Sequence, residues 1–373
     1  MAADSVFGPF RPGPGGMPPH LAGREAEQRH FRALLRDLKN AIPPAAEVVL
    51  HGPRGNGKTV LLRWLEEEAA SVAGIEVAHC TPAEIPDRIR LAEELLPASW
   101  WTRFTPSEIA AFGITWRPGD DRPPSARATL DARARKAALL LLLDEAHTLD
   151  PAVGRELLNA SQEVGRRLPL LLVLAGAPEL GAHLNAMNAS FWNRAKQFRI
   201  GRLSEAATAD AFARPLRARG VSASDAMLAR MAADSQRYPF FIQLLGQAVW
   251  ERLEGADGRR AVTPAALEAA APDFDEAKGE YYLHRLDELR AKRLLPVGRA
   301  VAEAFRTRPT LSDPEMDAAV AAGQREAKSP GDALDTIGEL KGLGFIWRTR
   351  ARPEWEPGIP SLMDYIRDHV PPG

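Results

Sequence analysis

The sequence predicts an α/β fold: a parallel sheet layered between helices, followed by a helical region and a tail that ends in a β-hairpin. Three observations lead there. The run Leu139–Leu143 breaks off at Asp144-Glu145, and Leu170–Leu174 breaks off at Ala175-Gly176-Ala177-Pro178. A continuous apolar run that ends abruptly is what a parallel strand covered on both faces looks like. Such runs alternate with helical patterns, as a sheet with right-handed crossovers requires. Finally, Gly52-Pro53-Arg54-Gly55-Asn56-Gly57-Lys58-Thr59 follows the strand-like Val48-Val49-Leu50 and precedes Val60-Leu61-Leu62, so a glycine-rich turn joins a strand to a helix.

In order along the chain, residues 1–19 are rich in proline and glycine and read as a flexible arm. Phe31, Leu34, Leu35 and Leu38 then recur at helical spacing, and Pro43-Pro44 ends that helix because proline has no N–H to donate. After the glycine-rich turn a helix runs to about Ala73, followed by a strand over Ile75–Cys80. A long connection carries helical stretches at Arg88–Leu96 and Pro106–Phe112, the pair Trp100-Trp101 as local packing, and a loop at Arg117–Pro124. The Leu139 and Leu170 strands come next, and a short one at Phe198–Ile200 completes the set. Residues 20–203 are therefore one nucleotide-binding domain.

Residues 204–280 read as a helical lid, with helices at Thr208–Arg219, Ser224–Asp234, Pro239–Leu253 and Pro264–Ala271. Residues 281–373 give a helix from about Leu283, then Val297–Arg306, Pro314–Ala322 and Pro330–Leu343. A hairpin of Phe345–Arg348 against Trp355-Glu356 follows, which is the winged-helix arrangement. The predicted fold class is thus a three-layer P-loop NTPase sheet with a helical lid and a C-terminal winged-helix domain.

Composition narrows the chemistry. Lys and Arg number 48 against 49 Asp and Glu, so no global field advertises nucleic acid or an anionic membrane. The single cysteine, Cys80, excludes an internal disulfide and a thiolate zinc site and fits a reducing cytoplasm. The longest apolar run, Ala137–Leu143, is far too short to cross a bilayer, and the N-terminus has no signal-peptide core.

The glycine-rich turn is where the chemistry concentrates. Residues without a Cβ let successive N–H groups converge on a triphosphate, and the helix that opens there adds its own N–H groups and dipole. Gly52, Pro53, Arg54, Gly55, Asn56, Gly57, Lys58, Thr59 and Val60 are accordingly expected to hold ATP, with Lys58 at the β- and γ-phosphates and the Thr59 hydroxyl on Mg²⁺. Asp144 is expected beside the same metal, and Glu145 beyond the γ-phosphate, where a carboxylate can polarise the attacking water. An acidic pair can instead cap the helix that starts after Asp150-Pro151. His147 trails the motif, and because one histidine without a partner makes no metal site it is expected to support the residues around the metal rather than bind it. Arg194, just before the last strand, is a candidate finger for a neighbouring subunit's nucleotide, with a surface ion pair as the alternative.

These residues resemble the origin-recognition branch of the AAA+ ATPases and its bacterial relatives. Besides the P-loop Gly52–Thr59 and the Leu139–His147 run ending in Asp-Glu-Ala-His, the likeness includes Gly23-Arg24-Glu25 and Ala175–Leu180. It extends to the Arg194 region and to Tyr238–Gly246 in the lid. The resemblance implies adenine near Leu21, Gly23 and Arg24, a lid that brings Pro239 over the nucleotide, and coupling of nucleotide state to DNA or partner binding and to homo-oligomer assembly. Two departures stand out. Ala175 and Gly176 occupy the strand end where the family often has a polar sensor, and the lid has no clear phosphate arginine, although Arg237 is near. Tyr238-Pro239 instead resembles an element of the STAND signalling ATPases. Both departures favour a slow switch.

The partner of the tail stays open at this level. Arg285–Gly373 contains 14 basic and 14 acidic residues. The expected recognition helix has Asp332, Asp335 and Glu339 against Lys341, with Lys328 just ahead, which is poor for neutralising phosphates. Arg348, Arg350 and Arg352 at the hairpin would suit duplex DNA better. The alternatives are a protein partner, as in a signalling or defence switch, and service to a transposase or nuclease.

Overall fold

A computed structural model describes residues 8–13, 15–96, 123–188, 190–253, 260–327, 332–349 and 352–371. The chain divides into two compact units: Glu25–His51 with Lys58–Arg199, and Met1–Arg24 with Gly52–Gly57 and Ile200–Gly373.

The first of these is built on a five-stranded parallel sheet. Its elements are α1 (Glu25–Lys39), β1 (Val48–His51), α2 (Lys58–Ala70), β2 (Ile75–Cys80), α3 (Arg88–Leu95), α4 (Ala126–Ala134), β3 (Ala138–Leu143), α5 (Pro151–Gly165), β4 (Leu170–Gly176), α6 (Leu180–Met187), α7 (Phe191–Arg194) and β5 (Lys196–Arg199). The strand order is β2-β3-β4-β1-β5. Leu139–Leu143 and Leu170–Leu174 are almost wholly inaccessible, which explains why neither run alternates. Each such leucine contributes about 1.5–3 kcal/mol by leaving water. The expected strand at Phe198–Ile200 begins earlier, at Lys196, whose N–H donates to the Glu47 carbonyl at 2.7 Å and so extends the ladder with β1. Trp100-Trp101, the Pro106–Phe112 stretch and Arg117–Arg122 lie outside the described residues.

The second unit is mostly helical: α8 (Glu205–Ala218), β6 (Val221–Ser222), α9 (Asp225–Asp234), α10 (Pro239–Glu251), β7 (Arg260–Ala261), α11 (Pro264–Ala291), α12 (Leu295–Ala304), α13 (Asp313–Glu326), α14 (Ala333–Gly342), β8 (Ile346–Thr349), β9 (Arg352–Pro357) and α15 (Pro360–His369). The hairpin pairs Trp347 with Glu356, as expected, but α15 follows it where no element is predicted. The helix expected to stop at Ala271 instead runs 28 residues through Pro272 and across residues 280–281, where the sequence suggests a domain boundary. A proline inside a helix removes one hydrogen bond. Here the alanine-rich stretch before it and the buried Phe274, Tyr282 and Leu286 after it hold the helix together. Phe10 is buried, its ring centroid 6.0 Å from that of Phe212, so this part of the expected flexible arm is anchored by an aromatic ring leaving water. Among the described residues no helix is long and apolar enough to cross a membrane.

Candidate functional site: the phosphate-loop motif and the strand ends

Register in the sheet unit decides which residues share an edge. Leu50 lies beside Ala175 and His51 beside Gly176, while Leu143 lies beside Leu174. Asp144, one residue past Leu143, therefore stands at the carboxyl ends of β1, β3 and β4. That is where ligands collect in open parallel sheets. Lys58 opens α2, and its side chain is buried. Thr59 and Val60, in the same first turn, are half-buried.

Asp144 is also buried, and its Oδ1 accepts the Glu145 N–H at 2.8 Å. Glu145 adopts the left-handed region, φ 49°. For a residue with a side chain this costs on the order of 1–2 kcal/mol and persists only where the surroundings impose it. Here the Glu145 carbonyl accepts both the Thr148 N–H at 2.9 Å and the Thr148 hydroxyl at 3.0 Å. The helix-capping alternative for the acidic pair is set aside, because α5 has its own cap. Asp150 Oδ1 accepts the Ala152 and Val153 N–H groups at 2.9 and 3.1 Å. Starting α5 therefore falls to Asp150 and not to Asp144 or Glu145.

Arg194 sits elsewhere. It precedes β5, at the amino end of the sheet, and donates to Gln162 Oε1 at 2.6 Å and Ser190 Oγ at 2.7 Å. The structure therefore does not bring Arg194 to the same edge as Asp144 and Glu145. Cys80 is buried, which pushes its thiol up to about 12 and leaves it no role as a nucleophile.

Gly52–Gly57 belongs to the helical unit, where its neighbours are specific. A side chain at Gly52 would run into the Ile200 carbonyl, and Gly55 and Gly57 have φ of 76° and 86°, which only glycine adopts without strain. The Tyr238 hydroxyl hydrogen-bonds the Arg54 carbonyl, and the Phe240 N–H donates to the Gly55 carbonyl at 3.2 Å. Pro239 stands between these two residues as the first residue of α10, partly exposed. Arg54 pairs with Glu288 of α11 at 2.7 Å. Pro53 and Asn56 are buried, and Asn56 Oδ1 has no hydrogen-bond partner among the described residues.

Leu21 and Gly23, expected near adenine, lie half-buried, Gly23 with φ 68°. Arg24 is buried, and Nη2 donates to the Asn56 carbonyl at 3.1 Å and the Gly201 carbonyl at 2.6 Å. It braces backbone around the glycine-rich segment. Arg237 is exposed with φ 59°, at the turn just before Tyr238. Sequence reasoning passed over the bracing role of Arg24 and the Glu288 pair, because both depend on contacts between residues far apart in the chain.

The stretch 45–184, from just ahead of β1 into α6, matches the AAA domain family. The sequence matches no curated protein. In fold, the chain is similar to the Walker-type ATPase of Pyrococcus abyssi, with 17% identity, 93% of this chain and 96% of that one covered, and a TM-score of 0.64. It is similar too to the Aeropyrum pernix ORC2 protein in its ADPNP-ADP complexes, with 13% identity, coverage of 96% and 97%, and a TM-score of 0.58. The ADP form of that protein aligns at 14% identity over 97% and 98% of the chains, TM-score 0.54. These likenesses are of fold: a five-stranded parallel sheet of the P-loop NTPase kind followed by a largely helical part.

Proposed function

We propose that this chain is a Mg²⁺-dependent ATPase that works as a nucleotide-controlled switch. The observation that carries this is the level at which the sheet holds Asp144 and Glu145, on the edge formed by the carboxyl ends of β1, β3 and β4. Backbone N–H groups of Gly52–Gly57 and the Lys58 ammonium would neutralise the phosphates. Mg²⁺ takes hard oxygen ligands, usually one or two from protein with phosphate and water completing the octahedron. The Thr59 hydroxyl and the Asp144 carboxylate suit that demand. Among the described residues no three His, Cys, Asp or Glu side chains converge to hold a metal by themselves, in keeping with a metal that arrives with its nucleotide. Glu145 would take the proton of the attacking water.

The switch follows from what grips the glycine-rich segment. Tyr238 and Phe240 start the lid helix α10, and Glu288 lies on α11, so a shift of Arg54 and Gly55 on binding phosphate is felt by both helices. Lys58→Ala should abolish ATP binding, whereas Glu145→Gln should bind ATP normally and lose hydrolysis by about 100-fold or more. Calorimetry together with phosphate release measures both. Wild-type release no faster than that of Lys58→Ala would sink the ATPase function.

For the C-terminal hairpin, one observation favours a protein partner over DNA. Arg348 is not presented to solvent as a phosphate contact: it pairs with Asp313, and its guanidinium lies 3.9 Å over the centre of the Trp355 ring. The Trp355 indole donates to the same Asp313 carboxylate at 2.9 Å. Arg350, Lys328 and the Arg352 side chain lie outside the described residues. Salt-sensitive, ATP-dependent retention of the full chain on duplex DNA, lost on changing Arg348, Arg350 and Arg352 together to alanine, would restore DNA as the partner. Mass photometry with and without ATP tests homo-oligomer assembly in the same samples.

A further inference from the structure

His147 has a side chain only 5% exposed, set between two acidic groups. Nδ1 lies 3.3 Å from Glu145 Oε2, and Nε2 lies 3.8 Å from Glu179 Oε1. The Ala177 N–H donates to Nδ1 at 3.3 Å. The ring occupies space left by a missing side chain at the end of β4: a Cβ on Gly176 would stand 3.2 Å from Nδ1 and 3.0 Å from Leu180 Cδ2. His147 and Gly176 are therefore fitted to each other, and the imidazole is the polar group at this strand end.

Glu145, by contrast, is 44% exposed and sits on a strained turn. A glutamate with that much freedom samples several rotamers, and an activating carboxylate has to be aimed to within about 0.5 Å. The imidazole beside it is buried, with Nδ1 within reach of Glu145 Oε2. Resting on the ATPase function above, we propose that His147 is a positioning residue, which holds Glu145 through Oε2 and leaves Oε1 for the attacking water. Glu179, from the start of α6, faces the far nitrogen and fixes the ring's orientation. The ring can donate to both carboxylates only when doubly protonated. In the neutral form with its proton on Nε2, Nδ1 takes the Ala177 N–H and the hold on Glu145 is released.

The test uses the full chain and compares steady-state ATP hydrolysis with the affinity for a fluorescent ATP analogue. His147→Ala should lower kcat about 10- to 100-fold, as loss of orienting partners does elsewhere, with the analogue's Kd within about twofold of wild type. His147→Asn keeps a polar atom near the Nδ1 position and should recover most of the loss. His147→Gln reaches only toward Glu179 and should not. Adding Gly176→Ser to the alanine variant returns a hydroxyl to the vacated space and should restore part of the rate, whereas Gly176→Ser alone crowds the ring and should slow the enzyme. Unchanged kcat in His147→Ala, with wild-type hydrolysis intact, overturns the proposal and spares the ATPase function. So does an equal fall in kcat and affinity in the alanine and asparagine variants, the mark of a merely structural residue. Wild-type hydrolysis no faster than Lys58→Ala removes the ATPase function and the proposal with it.

Discussion

The two ends of the parallel sheet carry the same residue types and use them in opposite ways. At the carboxyl end, Asp144 is buried and takes a backbone N–H, and Glu145 is held in a backbone conformation that few residues tolerate. At the amino end, Glu47 borders a shallow cavity of about 100 Å³ that Gln162, Arg166 and Arg194 also line. Burial pushes the Glu47 carboxyl up, while Arg194 and Arg166 pull it back only in part. One end spends backbone strain on placing carboxylates; the other merely accommodates one. On the function proposed above, chemistry in this unit would be one-sided, and Arg194, at the accommodating end, would act on a nucleotide only if a second copy brought it.

That contrast breaks first at Asp144. Asp144→Asn should cut Mg²⁺-dependent hydrolysis by about 100-fold or more, because it removes the negative oxygen a hard cation prefers, and a titration of rate against Mg²⁺ should show no recovery at high metal. Arg194→Ala should have a smaller effect, roughly 10-fold or more, confined to protein concentrations at which copies assemble. Rate per protomer measured across concentration separates the cases: an equal loss at every concentration would place Arg194 in a role within one chain. Glu47→Gln sharpens the comparison with the smallest effect. Since the folded-state pKa is raised, the unfolded chain ionises first as pH rises past the ordinary glutamate range, and stability falls from there upward. The glutamine variant should melt higher than wild type at pH 7.5 and together with it at pH 4.

The sheet was legible in the sequence because strands buried on both faces have no choice but to be apolar runs, and Leu139–Leu143 and Leu170–Leu174 are such runs. The glycine-rich turn was legible because Gly55 and Gly57 need backbone angles that other residues avoid. Helix ends were less so. Pro272 reads as a stop, yet the buried residues beyond it carry α11 onward, and burial is a property of partners far off in the chain. For the same reason Arg24 looked like a ligand contact while its guanidinium is bonded to the Asn56 and Gly201 carbonyls, 32 and 177 positions away. Arg348 looked free at a hairpin until Asp313, on α13, was found holding it. His147 sat in plain view, but its significance depends on Gly176 and Glu179, and neither is near it in sequence.

The grip of Tyr238 and Phe240 on the glycine-rich segment has a geometric corollary. In a trans peptide the carbonyl of one residue and the N–H of the next lie in one plane and point in opposite directions. Tyr238 and Phe240 draw the Arg54 and Gly55 carbonyls toward α10. The Gly55 and Asn56 amide hydrogens are thereby turned to the opposite side. The Tyr238 hydroxyl and the Phe240 backbone thus each aim one hydrogen-bond donor from behind, as a hand on the back of a mirror sets where it reflects, without touching what it faces.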